Sequence, residues 1–247
     1  MEEKTYPYLY LDATYLKVRW SARVTTMALL VCVGVDEEGF REVLAVVEVA
    51  GMEMGAAYAS LLRGLIDRGL RGVRLVVSDD HEGIKAAVAG ELPGAQWQRC
   101  VVHFEHNVLS SVPASEMSEV DEDLKAVFDV RREKTARTLA EEFVELYGKR
   151  FPKAVSVFEA GIWDALTYLS FPGSHHPRLR TTNMLECLFK EIKRRTRVVG
   201  VFPNETSAST LATEIALRSS EEWVLRCYLT MDVLQTAEKP NPQLSRH

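Results

Sequence analysis

The chain of 247 residues is 47% hydrophobic and 26% charged, a composition typical of a globular protein that buries a sizeable core. Its apolar runs are too short to span a bilayer, its acidic first residues exclude a secretory signal, and its four scattered cysteines favour a reducing cytoplasm. The formal net charge of −5 argues mildly against a nucleic-acid partner, yet residues 178–197 carry seven basic and two acidic side chains. Such a local field attracts a polyanion whatever the average charge is.

The first fifty residues predict an antiparallel meander. Residues 6–20 are rich in β-forming side chains in two strand-like pieces, and residues 24–35 and 41–50 predict two more strands. The turn at 36–39 joins the last two of these strands.

Alternating helices and strands follow the meander. Leucine spacing predicts a helix at 54–70, and the apolar run at 73–80 predicts a strand that is buried on both faces. A helix at 81–92 and a strand at 95–103 come next.

The rest of the chain has helical periodicity. Residues 104–170 predict a helical block, and residues 183–197 predict a later helix with an orderly apolar face. A meander followed by alternating strands and helices predicts an α/β fold with a mixed sheet. In such folds, sites form where strands end and helices begin.

Three carboxylates occupy positions that the predicted topology would bring together. Asp12 interrupts an apolar strand, Asp79 follows a central strand, and Glu186 lies in the first turn of the later helix. A charge within a strand is costly unless it is paired or bound to metal. Clustered carboxylates suit hard cations such as Mg²⁺ or Mn²⁺, which promote phosphodiester cleavage.

Each carboxylate also has a structural interpretation. Asp12 could close a turn with Thr14, and Asp79 could cap the helix that follows it. Glu186 could complete a capping box in which Asn183 is the N-cap. The residues alone leave both interpretations open.

Basic side chains follow Glu186 along the later helix. Lys190, Lys193 and Arg197 lie four, seven and eleven residues after it, on the same side. They form either a solvated face or a clamp for phosphates.

Two further features admit alternatives. Cys100 and His103 are close enough in sequence to hydrogen bond in a partly buried state, or to hold structural zinc with His106. Trp163, within the helical block, could pack in the core or stack on an extruded base.

Four segments carry a resemblance to a known family: "LDATYLKVR" (11–19), "RGLRGVRLVVSDDHEGIKAAV" (68–88), "WQRCVVHFEHNVL" (97–109) and "RTTNMLECLFKEIKRRTRVVGVFPNE" (180–205). They strongly resemble the Mutator-type transposases of bacterial insertion sequences, and the resemblance runs from Tyr6 to about residue 230. It implies a ribonuclease H-like mixed sheet flanked by helices, with an all-helical insertion before the last catalytic helix.

The resemblance assigns roles to the candidate residues. It implies a DDE site of Asp12, Asp79 and Glu186 that holds two Mg²⁺ or Mn²⁺ ions, with the second aspartate directly after Ser78. It implies that Cys100 and His103 support the site, and we place His81 near Asp79. The residues expected to contact DNA phosphates are Arg180, Lys190, Lys193, Arg194, Arg195 and Arg197.

The resemblance also implies DNA as the partner, both at element ends and at the target, with a homodimer left open. It implies neither a membrane nor a small-molecule substrate, and it suggests a location at the nucleoid. The domains it implies are the first part of the catalytic core at 1–103, a helical insertion at 104–180, the last part of the core at 181–235 and a tail at 236–247.

The family has a helical DNA-binding region before the first catalytic aspartate. Because Met1 stands eleven residues before Asp12, we expect this chain to lack that region. The expected function is DNA strand cleavage and strand transfer. The alternative is a truncated or domesticated remnant that binds DNA without productive transposition.

Overall fold

The computed structural model describes residues 4–21, 23–49 and 53–236. Within them a five-stranded sheet has the order β3-β2-β1-β4-β5. The first three strands pair antiparallel, whereas β4 pairs parallel with β1 and β5 parallel with β4. The strands are β1 (Tyr8–Trp20), β2 (Arg23–Val35), β3 (Arg41–Val49), β4 (Leu75–Ser78) and β5 (Gln96–Arg99).

Helices cover both faces of the sheet, and a 3-10 turn at Thr167–Ser170 separates two of them. They are α1 (Met54–Asp67), α2 (Glu82–Glu91), α3 (Val101–Leu109), α4 (Met117–Phe128), α5 (Glu133–Tyr147), α6 (Pro152–Ala165), α7 (His176–Leu179), α8 (Asn183–Thr196), α9 (Glu205–Trp223) and α10 (Asp232–Thr236).

The mixed sheet flanked by helices that the sequence predicts is confirmed. β1 is one continuous strand rather than two pieces, because its residues from Tyr8 to Trp20 all pair with β2. β5 ends at Arg99, short of the predicted residue 103, because β4 offers only four residues for it to pair with. Cys100 and His103 therefore lie at the start of α3 and not in a strand.

Successive side chains of β1 point to opposite faces of the sheet, and each face has its own part of the core. Leu9 and Leu11 point to the face covered by α1 and α2, while Tyr8 and Tyr10 point to the face that packs on α3, α6, α8 and α9. Burial of these apolar faces is the main force that holds the layers together.

The helices between Val101 and Leu179 share the second of these cores. Phe104, Phe143 and Phe158 belong to the same buried cluster as Tyr8 and Val77 of the sheet. Polar contacts join the layers too, since Gln98 of β5 donates to the carbonyl of Ala165 at 2.8 Å. The helical block therefore packs continuously on the sheet.

In the part of the chain that the structure describes, no helix is long and apolar enough to cross a membrane. The predicted tail at 236–247 lies outside the described residues except for residue 236.

Candidate active site

Asp12 and Asp79 come from neighbouring parallel strands. The ladder between β1 and β4 ends with Tyr10 opposite Val77, and continuing its register by two residues sets Asp12 opposite Asp79. Both side chains are half-buried. The sheet thus brings the first two predicted acids close to each other, just beyond the end of the ladder between β1 and β4.

Asp12 is partly shielded from solvent and lies near other acidic side chains. Burial is the main cause that raises the pKa of Asp12 to about 6, and the charges of Asp79 and Glu186 raise it further. A hydrogen bond from the backbone N–H of Ala13, 2.7 Å from Oδ1, and the charge of His103 oppose this rise. Asp12 stays within β1, so the predicted alternative of a turn with Thr14 is wrong.

Asp79 and its neighbour Asp80 have different partners. Asp80 forms ion pairs with Arg99 at 3.0 Å and with Lys85 at 3.1 Å. Asp79 accepts a hydrogen bond from the N–H of Asp80 at 2.7 Å and lies 3.9 Å from Nδ1 of His103. Two cations thus neutralise Asp80, whereas Asp79 forms no ion pair with Lys or Arg among the described residues, and its choice as the second acid stays a prediction.

His81 caps α2. Its Nδ1 accepts a hydrogen bond from the N–H of Gly83 at 3.1 Å, so the alternative in which Asp79 caps this helix is wrong. The ring of His81 lies against Tyr58 of α1, with centroids 5.6 Å apart. No hydrogen bond or ion pair joins His81 to Asp79 among the described residues, so the predicted place of His81 near Asp79 stays a prediction.

Glu186 lies in the first turn of α8 and interacts electrostatically with Asp12. The N-cap of this helix is Thr182, one residue earlier than expected, and its side chain makes no capping hydrogen bond. The capping box built on Asn183 is therefore wrong, because Glu186 is one residue too far along the helix to reach back to this N-cap.

Cys100 and His103 connect the acidic residues Asp12, Asp79 and Glu186 (the acidic group) to the start of α8. The buried sulfur of Cys100 accepts hydrogen bonds from the N–H and the hydroxyl of Thr182, at 3.5 and 3.4 Å. Burial would raise the pKa of Cys100, but interactions with His103 and Thr182 lower it. The interaction with Cys100 is the main cause that raises the pKa of His103 to about 9.

The raised pKa of His103 favours its cationic form beside two carboxylates. Asp79 and Asp12 both add to the rise of its pKa, while burial opposes it. Its Nδ1 is buried and has no hydrogen-bond partner within the described chain. This nitrogen lies 3.9 Å from Oδ1 of Asp79, too far for a hydrogen bond.

The basic residues of α8 fall into two sets. Lys190, Lys193 and Arg197 are exposed, and none of them forms an ion pair with the described residues. Arg194 and Arg195 instead bind Glu191, at 2.8 and 2.5 Å. Only the first set presents uncompensated charge to a partner.

Two other predicted residues have partners outside the acidic group. Arg180 donates to the carbonyl of Phe128 at 3.1 Å and lies 3.5 Å from Asp129. Trp163 is 45% exposed, with the guanidinium of Arg137 4.4 Å from its ring. Core packing of Trp163 is therefore wrong, because the ring lies on the outer surface of α6.

The site offers carboxylate oxygens but not a complete set of metal ligands. Among the residues that the structure describes, no group of three or more His, Cys, Asp or Glu side chains is arranged to hold a metal ion. The donor chemistry nonetheless fits a hard divalent cation, because Asp12 is a half-buried carboxylate that the negative charges of Asp79 and Glu186 both affect.

Two contributors were not predicted from the sequence. Thr182 fixes Cys100, and Arg99 holds Asp80, and each acts through a partner more than eighteen positions away in the chain. The one sequence signal that could have found them is that each lies near a candidate residue. Thr182 stands four residues before Glu186, and Arg99 stands directly before Cys100.

A mixed sheet with one acid within a strand and another directly after the neighbouring strand, beside a helix with free cations, is an arrangement suited to a protein that acts on nucleic acid. A family model described as "Transposase, Mutator family" matches residues 1–225. The chain belongs to this family.

Curated relatives are similar over most of the chain. The transposase for insertion sequence element ISRM5 of Rhizobium meliloti is 40% identical over 96% of this chain and 60% of its own length. The transposase for IS406 of Burkholderia multivorans is 38% identical over 88% of this chain and 56% of its own. The transposase for IS256 in transposon Tn4001 of Staphylococcus aureus is 32% identical over 94% and 60%. The chain thus spans a little over half the length of these relatives.

Proposed function

We propose that this chain is the catalytic part of an insertion-sequence transposase that cleaves DNA strands and transfers them with a DDE site in a ribonuclease H-like core. The observation that carries the proposal is the electrostatic interaction of Asp12 with both Asp79 and Glu186, which come from distant parts of the chain. Relatives named as transposases match nearly the whole chain and support the same reading.

Asp12, Asp79 and Glu186 would hold one or two Mg²⁺ or Mn²⁺ ions. Bound there, such ions would stabilise the attacking and leaving oxygens of an in-line displacement at phosphorus. The mutual repulsion of the carboxylates would give the chain an affinity for divalent cations that a single exposed acid lacks.

The remaining residues would position the DNA and the acids. Lys190, Lys193 and Arg197 present free cations along α8, and these would bind successive backbone phosphates without reading sequence. Cys100 and Thr182 hold the N-terminus of α8 against the start of α3, which keeps Glu186 on the side of Asp12. His103 would balance the negative charge of Asp79 and Asp12 between turnovers.

The decisive test is nicking of supercoiled plasmid by the purified chain with Mg²⁺ or Mn²⁺. Glu186→Gln is expected to abolish nicking, because the amide removes an anionic ligand and keeps the shape of the side chain. Glu191→Gln is the matched control, since this glutamate lies on the same helix and binds Arg194 and Arg195 instead.

The result that would overturn the proposal is equal nicking by the wild type and Glu186→Gln. A wild-type chain that binds DNA but never nicks it, with any divalent ion, would instead favour the remnant that binds DNA without transposition.

A further inference from the structure

A short apolar loop follows the basic helix. Residues 198–201 read Val-Val-Gly-Val, and the side chains of Val198, Val199 and Val201 are 91%, 42% and 36% exposed. Three exposed valines within four residues are unusual on a protein surface and commonly indicate contact with a partner.

Hydrogen bonds fix the shape of this loop. The N–H of Val199 donates to the carbonyl of Thr196 at 3.0 Å, and the N–H of Val201 donates to that of Val199 at 2.8 Å. Gly200 has a φ of 69°, a conformation that a valine would adopt only under strain. The loop is thus a preformed turn.

The end of the loop is attached to β1. Phe202 is 4% exposed, its N–H donates to the carbonyl of Lys17, and its carbonyl accepts from the N–H of Arg19, both at 2.9 Å. The valines therefore project between α8 and the far part of β1.

Cations surround the valines on both sides. Residues 190–201 contain five basic side chains and one acidic one, and that acid, Glu191, is neutralised by Arg194 and Arg195. On the other side, Lys17 and Arg19 are exposed, form no ion pair with the described residues, and lie in a hairpin, residues 13–35, without a single acidic residue. A partner that approaches the valines must tolerate dense positive charge.

Building on the proposed function, we propose that the Val198–Val201 loop is an apolar wedge that enters duplex DNA and unstacks one base step. A nucleic acid duplex offers phosphates to the flanking cations and, between its stacked bases, an apolar interior to the valines. Apolar side chains inserted between base steps, with cations on the adjacent phosphates, are a known mode of DNA distortion.

The position of the loop relates the wedge to the site. Val198 follows Glu186 by twelve residues, which is roughly 18 Å along a helix. This distance matches about five base pairs of duplex. The loop would therefore open the DNA about one half-turn of duplex away from the phosphate held by the acids.

The test uses two labelled duplexes that differ by one central mismatch, titrated in EDTA with the full chain by fluorescence anisotropy. An intact step must be unstacked before the wedge enters, whereas a mismatched step is already weakened. Wild type is expected to bind the mismatched duplex about tenfold more tightly. A 2-aminopurine beside the mismatch should become brighter on binding.

The variant Val198→Ser/Val201→Ser is expected to lose the preference and the brightening, while its affinity for the paired duplex stays within about twofold, because the phosphate contacts remain. Val198 is already almost fully exposed, so its replacement removes little packing. Leu225→Ser is the control, because Leu225 is 84% exposed beyond the far end of α9. It should behave as wild type.

Three results would overturn the wedge while DNA binding and Glu186-dependent nicking persist. The wild type could bind both duplexes equally well, or the double variant could keep the preference for the mismatched duplex. The double variant could also differ from wild type only by sedimenting as a monomer instead of a dimer. A chain that binds neither duplex would overturn the proposed function together with the wedge.

Discussion

At the scale of single residues, Asp12 links stability to pH. Its pKa of about 6 exceeds the ordinary 3.8 because of burial and the nearby carboxylates. The folded protein therefore holds this proton more tightly than the unfolded chain does. The stability that results is fully present below pH 3.8 and is lost as the pH rises through about 6.

Asp12→Asn, which cannot ionise, is expected to raise the free energy of unfolding by about 1–2 kcal/mol at pH 8 in EDTA, and by much less at pH 4. Asparagine keeps an oxygen that can accept the bond from Ala13. Urea unfolding of both proteins at the two pH values measures the difference. An effect of equal size at both pH values would show that the charge of Asp12 is not the cause.

The two sets of cations on α8 should differ in DNA binding. Replacing Lys193 and Arg197 by Ala should weaken binding to all duplexes similarly and reduce the slope of log K against log salt by about one unit per lost contact. Replacing Arg194 and Arg195 removes the same charge but should reduce the slope less, since Glu191 already occupies them. Equal slopes for both double variants, or an effect on one sequence only, would contradict this assignment.

At the scale of elements, the contact of α6 with β5 and α3 depends on Gly161. A Cβ at this position would overlap Nη1 of Arg99 and lie 3.0 Å from Phe104. Arg99 is buried and bound to Asp80, so it cannot move away without cost.

Gly161→Ala is therefore expected to lower the free energy of unfolding by about 1–3 kcal/mol. Gly64→Ala in α1 is the matched control. A Cβ there has no neighbour within 4 Å, and the change should stabilise the protein by about 0.4–1 kcal/mol. Denaturant unfolding measures both, and a Gly161→Ala variant as stable as wild type would show that Arg99 relaxes freely.

The sequence predicted a helix or strand correctly where its apolar residues follow one clear pattern. The helix predicted at 183–197 is α8, and the apolar run at 73–80 contains β4. It failed for α9, which was not predicted, although Asn204 caps it and Ala208, Ala212 and Ala216 recur every four residues. Small alanines give a weak apolar signal, and their burial follows from the close approach of α9 to the sheet.

The acids of the site could be chosen from the sequence, but their contacts could not. A polar residue within an apolar strand singles out Asp12, and the family motifs single out Asp79 and Glu186. The bond between Cys100 and Thr182 joins positions 82 residues apart. Local periodicity holds no information about such a pair.

At the scale of the whole molecule, the helical block and the sheet share one core. Phe104, Phe158, Tyr8 and Val77 belong to one buried cluster, and the hydroxyl of Tyr8 bonds to buried His175 at 2.9 Å. Neither part can expose its inner face without loss of contacts in the other.

We therefore expect one cooperative unfolding transition despite the length of the chain. Far-UV circular dichroism and the fluorescence of a variant that retains only Trp163, on α6, should give coincident urea curves. An earlier transition of Trp163 would show that the helical block unfolds separately from the sheet.

The acidic group also has a consequence for synthesis. Asp12 and Glu186 are separated by 174 positions, and α8 contacts β1 only once most of the chain exists. Because chains emerge from the ribosome N-terminus first, the first two acids are exposed long before the third. A growing or prematurely terminated polypeptide therefore lacks the complete set of carboxylates, and the proposed cleavage of DNA could begin only after translation has passed α8.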